Sequence, residues 1–121
     1  MTNAEFKIKL EKRTVAFAVS VIRMLRNVPA NIESRNIRDQ LLRSATSIGA
    51  NYREANQAES TADFGHKLSI SAKEASETEY WLILLNELYP ETGDLAPVLA
   101  EAAELTRLFA KSARTAHATA S

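Results

Sequence analysis

The sequence of 121 residues contains no cysteine, which excludes disulfide bonds, thiol catalysis and thiolate metal sites. It has only three glycines and three prolines, and a chain of many short strands needs more turn residues than these. No apolar run approaches the roughly 18 residues that cross a bilayer, and residues 1–13 lack the continuous apolar segment of a signal peptide. These absences favour long helices and predict a cytoplasmic protein with no membrane segment.

The chain also has no formal net charge, yet its charges are unevenly distributed. Residues 1–57 contain ten lysines and arginines against five acidic residues, whereas residues 58–121 contain five against ten, so the two parts carry +5 and −5. Such polarity suits head-to-tail contacts between subunits, or a nucleic acid that lies along the basic half. It is equally compatible with surface charges that have no function.

Hydrophobic residues recur at helical spacing in four segments, so the sequence predicts a single all-α domain over residues 1–121. Ser60 and Asp94 are predicted N-caps of the third and fourth helices. Residues 115–121 have no apolar anchor and are expected to fray. Short connections make neighbouring helices antiparallel, which predicts an up-down-up-down four-helix bundle. The predicted helices span about residues 4–27, 34–57, 61–89 and 95–114.

The first predicted helix is apolar around most of its circumference in its second half. Phe17 and Val21 belong to the stripe that is expected to face the core, and Val15, Val19 and Ile22 lie off that stripe. A helix of this kind needs apolar cover on two sides, and a four-helix bundle supplies cover on one. The sequence therefore predicts that Val15, Val19 and Ile22 form an interface between copies of the chain.

Small residues occupy the middle of the second and third helices, and Gly49 is one of them. Glycine inside a helix costs roughly 1 kcal/mol relative to alanine. Opposed faces of small residues let two helix axes approach closely. We therefore expect the second and third helices to pack closely around Gly49.

Polar side chains are interleaved with these small residues. An unpaired buried charge costs several kcal/mol, so charged groups that face inward must satisfy one another. We expect Arg43 to pair with Glu74 or Glu77. We also expect Glu54 to contact Lys67. The predicted network, which would set the register of the two helices, comprises Arg43, Asn51, Glu54, Lys67, Glu74 and Glu77.

The sequence contains no pattern typical of a catalytic or metal site. A carboxylate-bridged metal site in a bundle needs Glu-x-x-His on two helices. The two histidines do not fit this pattern, because His66 is preceded by Asp63 three residues earlier and His117 lies in the expected tail. No histidine is expected to share a face with a serine, and there is no glycine-rich phosphate loop. We therefore predict no catalytic, cofactor-binding or metal-binding residue.

Two features bear on nucleic-acid binding. Tyr80 and Trp81 are adjacent aromatics that could stack on a base, although such pairs on a helix more often belong to a core or an interface. Basic residues of the first two helices could contact phosphates, but a dedicated nucleic-acid domain usually has a positive net charge. The candidate phosphate contacts are Lys7, Lys9, Lys12, Arg13, Arg23, Arg26, Arg35 and Arg38.

Three motifs follow one another within residues 41–88. They read RS-x-x-SI-x-AN-x-x-EA, then S-x-x-DF-x-x-K, then KE-x-x-ET-x-YWL. The combination resembles the family of four-helix bundle proteins encoded in intervening sequences of bacterial 23S rRNA genes. The matching residues are Arg43, Ser44, Ser47, Ile48, Ala50, Asn51, Glu54, Ala55, Ser60, Asp63, Phe64, Lys67, Lys73, Glu74, Glu77, Thr78, Tyr80, Trp81 and Leu82.

The resemblance implies a homopentamer whose bundles stand side by side around a central channel. It also implies a relationship to the accessory variability-determinant proteins of diversity-generating retroelements, which bind a reverse transcriptase and nucleic acid. Taken with the residues, it predicts a non-enzymatic homo-oligomeric scaffold that docks a protein or ribonucleoprotein partner. The alternative is a nucleic-acid-binding pentamer that uses the basic face of the first two helices.

Overall fold

The computed structural model describes residues 1–120, and this part of the chain forms four α-helices and no β-strand. Within it, no helix is long and apolar enough to cross a membrane. The first three helices begin and end within two residues of the bounds expected from the sequence. They are α1 (Asn3–Leu25), α2 (Ile32–Ala55), α3 (Thr61–Leu88) and α4 (Leu95–Ala120).

Side-chain caps set the first residues of three helices. Thr2 Oγ1 lies 3.1 Å from the backbone amide three residues later, and Asn31 Oδ1 lies 2.9 Å from the equivalent amide of α2. Ser60 Oγ accepts the corresponding amide of α3 at 3.0 Å, as the sequence predicted. Each cap satisfies an amide that has no partner inside its helix.

The start of α4 differs from the predicted side-chain cap. Asp94 adopts φ of 70°, in the left-handed region, which aspartate tolerates better than most residues. Its backbone carbonyl accepts the amide of Val98 at 3.4 Å. An N-cap residue is normally extended, so a sharp backbone turn begins this helix.

The end of α4 corrects a second expectation. The helix continues to Ala120, so the frayed tail expected over residues 115–121 is wrong for residues 115–120, while Ser121 lies outside the described residues. Ala116 is buried in the core. Alanine is too weakly apolar to stand out in a hydrophobicity pattern, but its methyl group suits the close packing of this last stretch.

The four helices pack as a bundle around one hydrophobic core. α1 packs against α2 and α4, and α3 packs against the same two helices, whereas no Cα atom of α1 lies within 8 Å of one in α3 in the described part of the chain. An edge-to-face contact joins the rings of Tyr52 and Phe109, with centroids 5.3 Å apart. The largest completely buried side chains are Met24, Leu41, Ile48, Leu68, Leu82, Leu85, Leu105 and Phe109.

Gly49 lies at a tight contact between α1 and α2. A Cβ atom at this position would lie 2.6 Å from Thr14 Oγ1 and 2.9 Å from Thr14 Cβ, so a larger residue would displace α1. The expectation that Gly49 serves the contact of the second and third helices is therefore wrong, because it faces α1. Helices α2 and α3 are joined instead by hydroxyl groups, such as Ser71 Oγ, which donates to the carbonyl of Ile48 at 3.0 Å.

Replacement of Gly49 by valine is expected to lower the free energy of unfolding by about 2 kcal/mol, because overpacking against Thr14 forces the two helices apart. Equilibrium urea denaturation followed by circular dichroism measures this change. The matched control is Ala100→Val on the exposed side of α4, which should alter stability by no more than about 0.5 kcal/mol. Equal stability of the Gly49→Val protein and the unaltered protein would contradict a tight contact.

Candidate interaction surfaces and polar network

A carboxylate-arginine cluster joins α2 to α3. Arg43 Nη1 lies 2.9 Å from Glu74 Oε2, and the other terminal nitrogen of Arg43 pairs with Glu77. Arg43 Nε donates to Gln40 Oε1 at 3.1 Å, and Trp81 Nε1 donates to Glu77 Oε2 at 3.2 Å. The Glu74 side chain is only 10% exposed, so Arg43 supplies the charge that a buried carboxylate requires. The ion pairs expected at Arg43 are both formed.

A second pair lies nearer the end of α2. Lys67 Nζ is 3.4 Å from Glu54 Oε2, and Glu54 is largely exposed. Asn51, which the sequence analysis placed in the same network, donates to the carbonyl of Ser47 at 2.9 Å within its own helix. The predicted network is thus divided into the cluster of Arg43 with Glu74 and Glu77, the separate pair of Lys67 with Glu54, and one local hydrogen bond.

Buried hydroxyls between α2 and α3 are also satisfied within the protein. Thr78 Oγ1 lies 2.9 Å from Ser44 Oγ and 2.7 Å from the carbonyl oxygen of Glu74. These groups lie beside the arginine cluster and have no histidine among their partners. Hydroxyls engaged in this way hold helices together and lack the adjacent base that a nucleophile needs.

One serine does contact a histidine, contrary to the sequence-based expectation. Ser69 Oγ on α3 lies 2.8 Å from His117 Nε2 on α4. The contact was missed because residue 117 was assigned to a frayed tail. Both residues lie within helices whose backbone amides are engaged in helical hydrogen bonds, so no free pair of amides surrounds them as an oxyanion hole would require. Residues 1–120 contain no group of three or more histidine, aspartate or glutamate side chains placed to hold a metal.

The outer side of α1 is an apolar surface that the chain itself does not cover. Val15 is 60% exposed, Val19 37% and Ile22 40%. A groove of about 630 Å³ runs along this side and is bordered by small residues of α2, including Gly49 and Ala50. Contiguous apolar patches of this kind mark sites of association. We call it the α1–α2 face, defined by Ile8, Val15, Val19, Ile22 and Leu42.

A second apolar surface lies on α3 and was not predicted. Tyr80 is 59% exposed and Ile83 49%, and Leu88 is also exposed. The rings of Tyr80 and Trp81 meet edge to face at 5.2 Å, but Trp81 is partly buried against the core. The adjacent aromatics therefore have separate environments. We call the surface formed by Tyr80, Ile83 and Leu88 the α3 face. The i, i+3 spacing of Tyr80 and Ile83 outside the core stripe was the available sequence signal.

Among the candidate phosphate contacts, Arg13 is already occupied. Its Nε lies 2.7 Å from Glu101 Oε2 and its Nη2 3.1 Å from Glu104 Oε1. The hydrogen bond to Glu101 is the main cause that raises the pKa of Arg13 above its usual value, against the lesser, opposing effect of partial burial. A guanidinium held by two carboxylates is a poor phosphate ligand.

The other seven basic residues form no salt bridge within the described residues. Six of them are exposed, whereas Arg38 is partly buried and its Nε has no hydrogen-bond partner. Arg23 and Arg26 project near the carboxyl end of α1, and Arg35 lies near the start of α2. The unpaired positive charges of these two helices therefore cluster at one end of the bundle as well as along the start of α1.

Replacement of Arg43 by methionine is expected to lower the free energy of unfolding by about 1–3 kcal/mol, because the buried Glu74 carboxylate loses its partner. The double variant Arg43→Met/Glu74→Met should lose less, since apolar groups can replace a buried ion pair. Lys67→Met is the matched control and should cost less than about 1 kcal/mol, as its pair is exposed. If urea denaturation shows a larger loss of unfolding free energy for Lys67→Met than for Arg43→Met, this account of the cluster is refuted.

Comparison with known proteins places the chain in a family. The family model described as 23S rRNA-intervening sequence protein matches residues 7–111. The crystal structure of a protein of unknown function from the S23 ribosomal protein family of Bacteroides thetaiotaomicron is 38% identical, with a TM-score of 0.75, and covers 85% of this chain and 96% of that chain. No curated protein matches the chain. The match thus extends well beyond the motifs of residues 41–88, and the chain belongs to the 23S rRNA-intervening sequence protein family.

Proposed function

We propose that this protein is a non-enzymatic homo-oligomeric scaffold of the cytoplasm. In this proposal the helices run up-down-up-down, five copies form a ring, and the ring docks a protein or ribonucleoprotein partner. The observation that carries the proposal is the exposure of Val15, Val19 and Ile22 along the outer side of α1. A soluble helix that leaves such a stripe uncovered is normally completed by another chain.

The energy of burying the apolar residues of α1 indicates how large an interface between copies would have to be. Complete burial of a valine or isoleucine side chain contributes roughly 1.5–3 kcal/mol, and Val15, Val19 and Ile22 are already partly covered. Association costs at least about 4 kcal/mol in lost freedom of motion. The three side chains alone therefore barely offset that cost, so a stable assembly would use the whole α1–α2 face, including Ile8 and Leu42.

Two further observations support the proposal. Arg43 of α2 pairs with Glu74 of α3, and Glu54, which is later on α2, pairs with Lys67, which is earlier on α3, as expected for antiparallel neighbours. The same polar groups are satisfied by one another, which favours a structural role over catalysis. The separation of charge along the chain would give a partner, such as a reverse transcriptase, a surface of opposite sign.

Light scattering of the purified protein at micromolar concentration is expected to give five times the mass of one chain. The variant Val15→Glu/Val19→Glu should be monomeric yet helical by circular dichroism, because an interface that buries two unpaired carboxylates loses several kcal/mol. Ala100→Glu on the exposed side of α4 is the control and should keep the oligomeric mass. A monomer of the unaltered protein would overturn the proposal.

A second candidate function is binding of nucleic acid by the same ring. The observation that favours it is the set of exposed lysines and arginines of α1 and α2 that have no salt bridge within residues 1–120, among them Arg23 and Arg26. Phosphate contacts release bound counterions, so the affinity would fall steeply as salt is raised.

In filter-binding experiments at low salt, the protein is expected to retain single-stranded or duplex RNA on the filter. Arg23→Ala/Arg26→Ala should weaken retention and reduce its salt dependence by about two charges. Arg13→Ala serves as the control and should leave retention unchanged, since Arg13 is held by Glu101 and Glu104. Absence of retention at low salt would eliminate the nucleic-acid function and leave the scaffold intact.

A further inference from the structure

A ring of identical chains places a requirement on the surface that meets the α1–α2 face. Rotation about a ring axis brings one patch of each chain against a different patch of the next, whereas a two-fold dimer uses one patch twice. The assembly proposed above therefore needs a second apolar surface elsewhere on the bundle. The α3 face is a surface of that kind, and it lies on a helix that is not a neighbour of α1, since no Cα atom of α1 lies within 8 Å of one in α3 within residues 1–120.

The charges beside the two faces have opposite signs. Arg23 and Arg26 border the α1–α2 face, are exposed and form no salt bridge within the described part of the chain. Glu79 and Glu87 border the α3 face and are also outside the salt bridges of residues 1–120. Complementary charges around an apolar centre steer two surfaces together and fix their orientation.

Further charges complete the two borders. Lys12, Arg35 and Arg53 add positive charge to the α1–α2 border, which also contains the acidic residues Glu11 and Asp39. Arg23 shares a shallow groove with Asp94 at the start of α4. Lys73 is the basic residue beside the α3 face. The first border therefore stays positive on balance, and the second stays negative through its glutamates.

The charged ends of the α1–α2 face and of the α3 face also lie at the same height along the axis of the bundle. Asn31 Nδ2 at the start of α2 donates to the hydroxyl of Tyr89 at 3.1 Å, and Asn27 Nδ2 after α1 donates to the carbonyl of Gly93 at 3.1 Å. The carboxyl end of α3 therefore meets the end of the bundle where α1 passes into α2. Copies that stand side by side in a ring meet at equal levels, which places Ile22 beside Ile83.

We propose that the α1–α2 face of one copy docks on the α3 face of the next copy, so that the subunits contact one another head to tail around the ring. This inference rests on the homo-oligomer proposed above and specifies its interface. Ile22 and Leu42 pack against Tyr80 and Ile83, and the arginines of α1 lie against the glutamates of α3. Pairing of two α1–α2 faces would instead bring Lys12 and Arg26 of each copy against those of the other, and like charges oppose such a contact.

Charge exchange within one chain tests this arrangement. The variants Arg23→Glu/Arg26→Glu and Glu79→Arg/Glu87→Arg should each raise the concentration for half-assembly by about tenfold at low salt, since two exposed ion pairs of up to about 1 kcal/mol each are replaced by contacts between like charges. The quadruple variant restores opposite charges at every interface and should return the assembly to near its original strength. Arg107→Glu, an exposed site on α4, is the control with no expected effect.

Engineered cysteines supply an independent measurement, because the natural chain has none. Oxidation of Ile22→Cys/Ile83→Cys, or of Leu42→Cys/Ile83→Cys, should give a covalent ladder beyond the dimer, whereas Ile22→Cys alone should remain monomeric in denaturing gels. A covalent dimer of Ile22→Cys alone would overturn the proposal in favour of pairing between like faces.

The outcomes separate this inference from the scaffold itself. An oligomer that neither double charge reversal weakens, or that the quadruple variant fails to restore, contradicts the assigned interface while the scaffold stands. If the protein is oligomeric and neither cysteine pair forms a ladder, the assigned interface is likewise contradicted while the scaffold stands. A monomeric unaltered protein contradicts the interface and the scaffold together.

Discussion

α1 carries apolar side chains on both its inner and outer sides, and a bundle of four helices encloses only the inner one. Val21 is completely buried in the core, while Val15, less than two turns earlier, is 60% exposed. The hydrophobic effect acts on both sides alike, at about 25 cal/mol for each Å² removed from water. A chain built in this way would gain free energy by burying its outer surface as well, and this gain is the physical basis of the association that we propose.

The contacts between α2 and α3 determine the register of these two helices, and thus the height of each exposed residue along the bundle axis. Glu74 is nearly buried and needs Arg43 beside it, so the two helices have one favourable register. The hydroxyl contact of Thr78 with Ser44 fixes the same register through a buried hydrogen bond. A shift by one turn would separate the Glu74 carboxylate from Arg43 and break the contact of Thr78 with Ser44, and it would also change the alignment of the two faces that we propose to meet.

The spacing of hydrophobic residues predicted the bounds of α1 to α3 well but missed the end of α4, and the reason lies in the size of the residues. Large apolar residues at helical spacing marked α1 to α3, because each of them contributes strongly to the pattern. The end of α4 is built largely from alanine, whose small apolar surface produces a weak pattern, although Ala113 and Ala116 are buried. That error also concealed the contact of Ser69 with His117, since a frayed residue has no expected neighbour.

The sequence by itself determined the helical class, the four segments, the pairing of Arg43 with Glu74 or Glu77, and the excess of apolar surface on α1. These follow from local spacing and from the cost of an unpaired buried charge. Only the tertiary structure decided that Gly49 faces Thr14 on α1, and that α3 presents a second apolar surface. Such features depend on the rotation of each helix about its axis, and that rotation is set by how all four helices pack together.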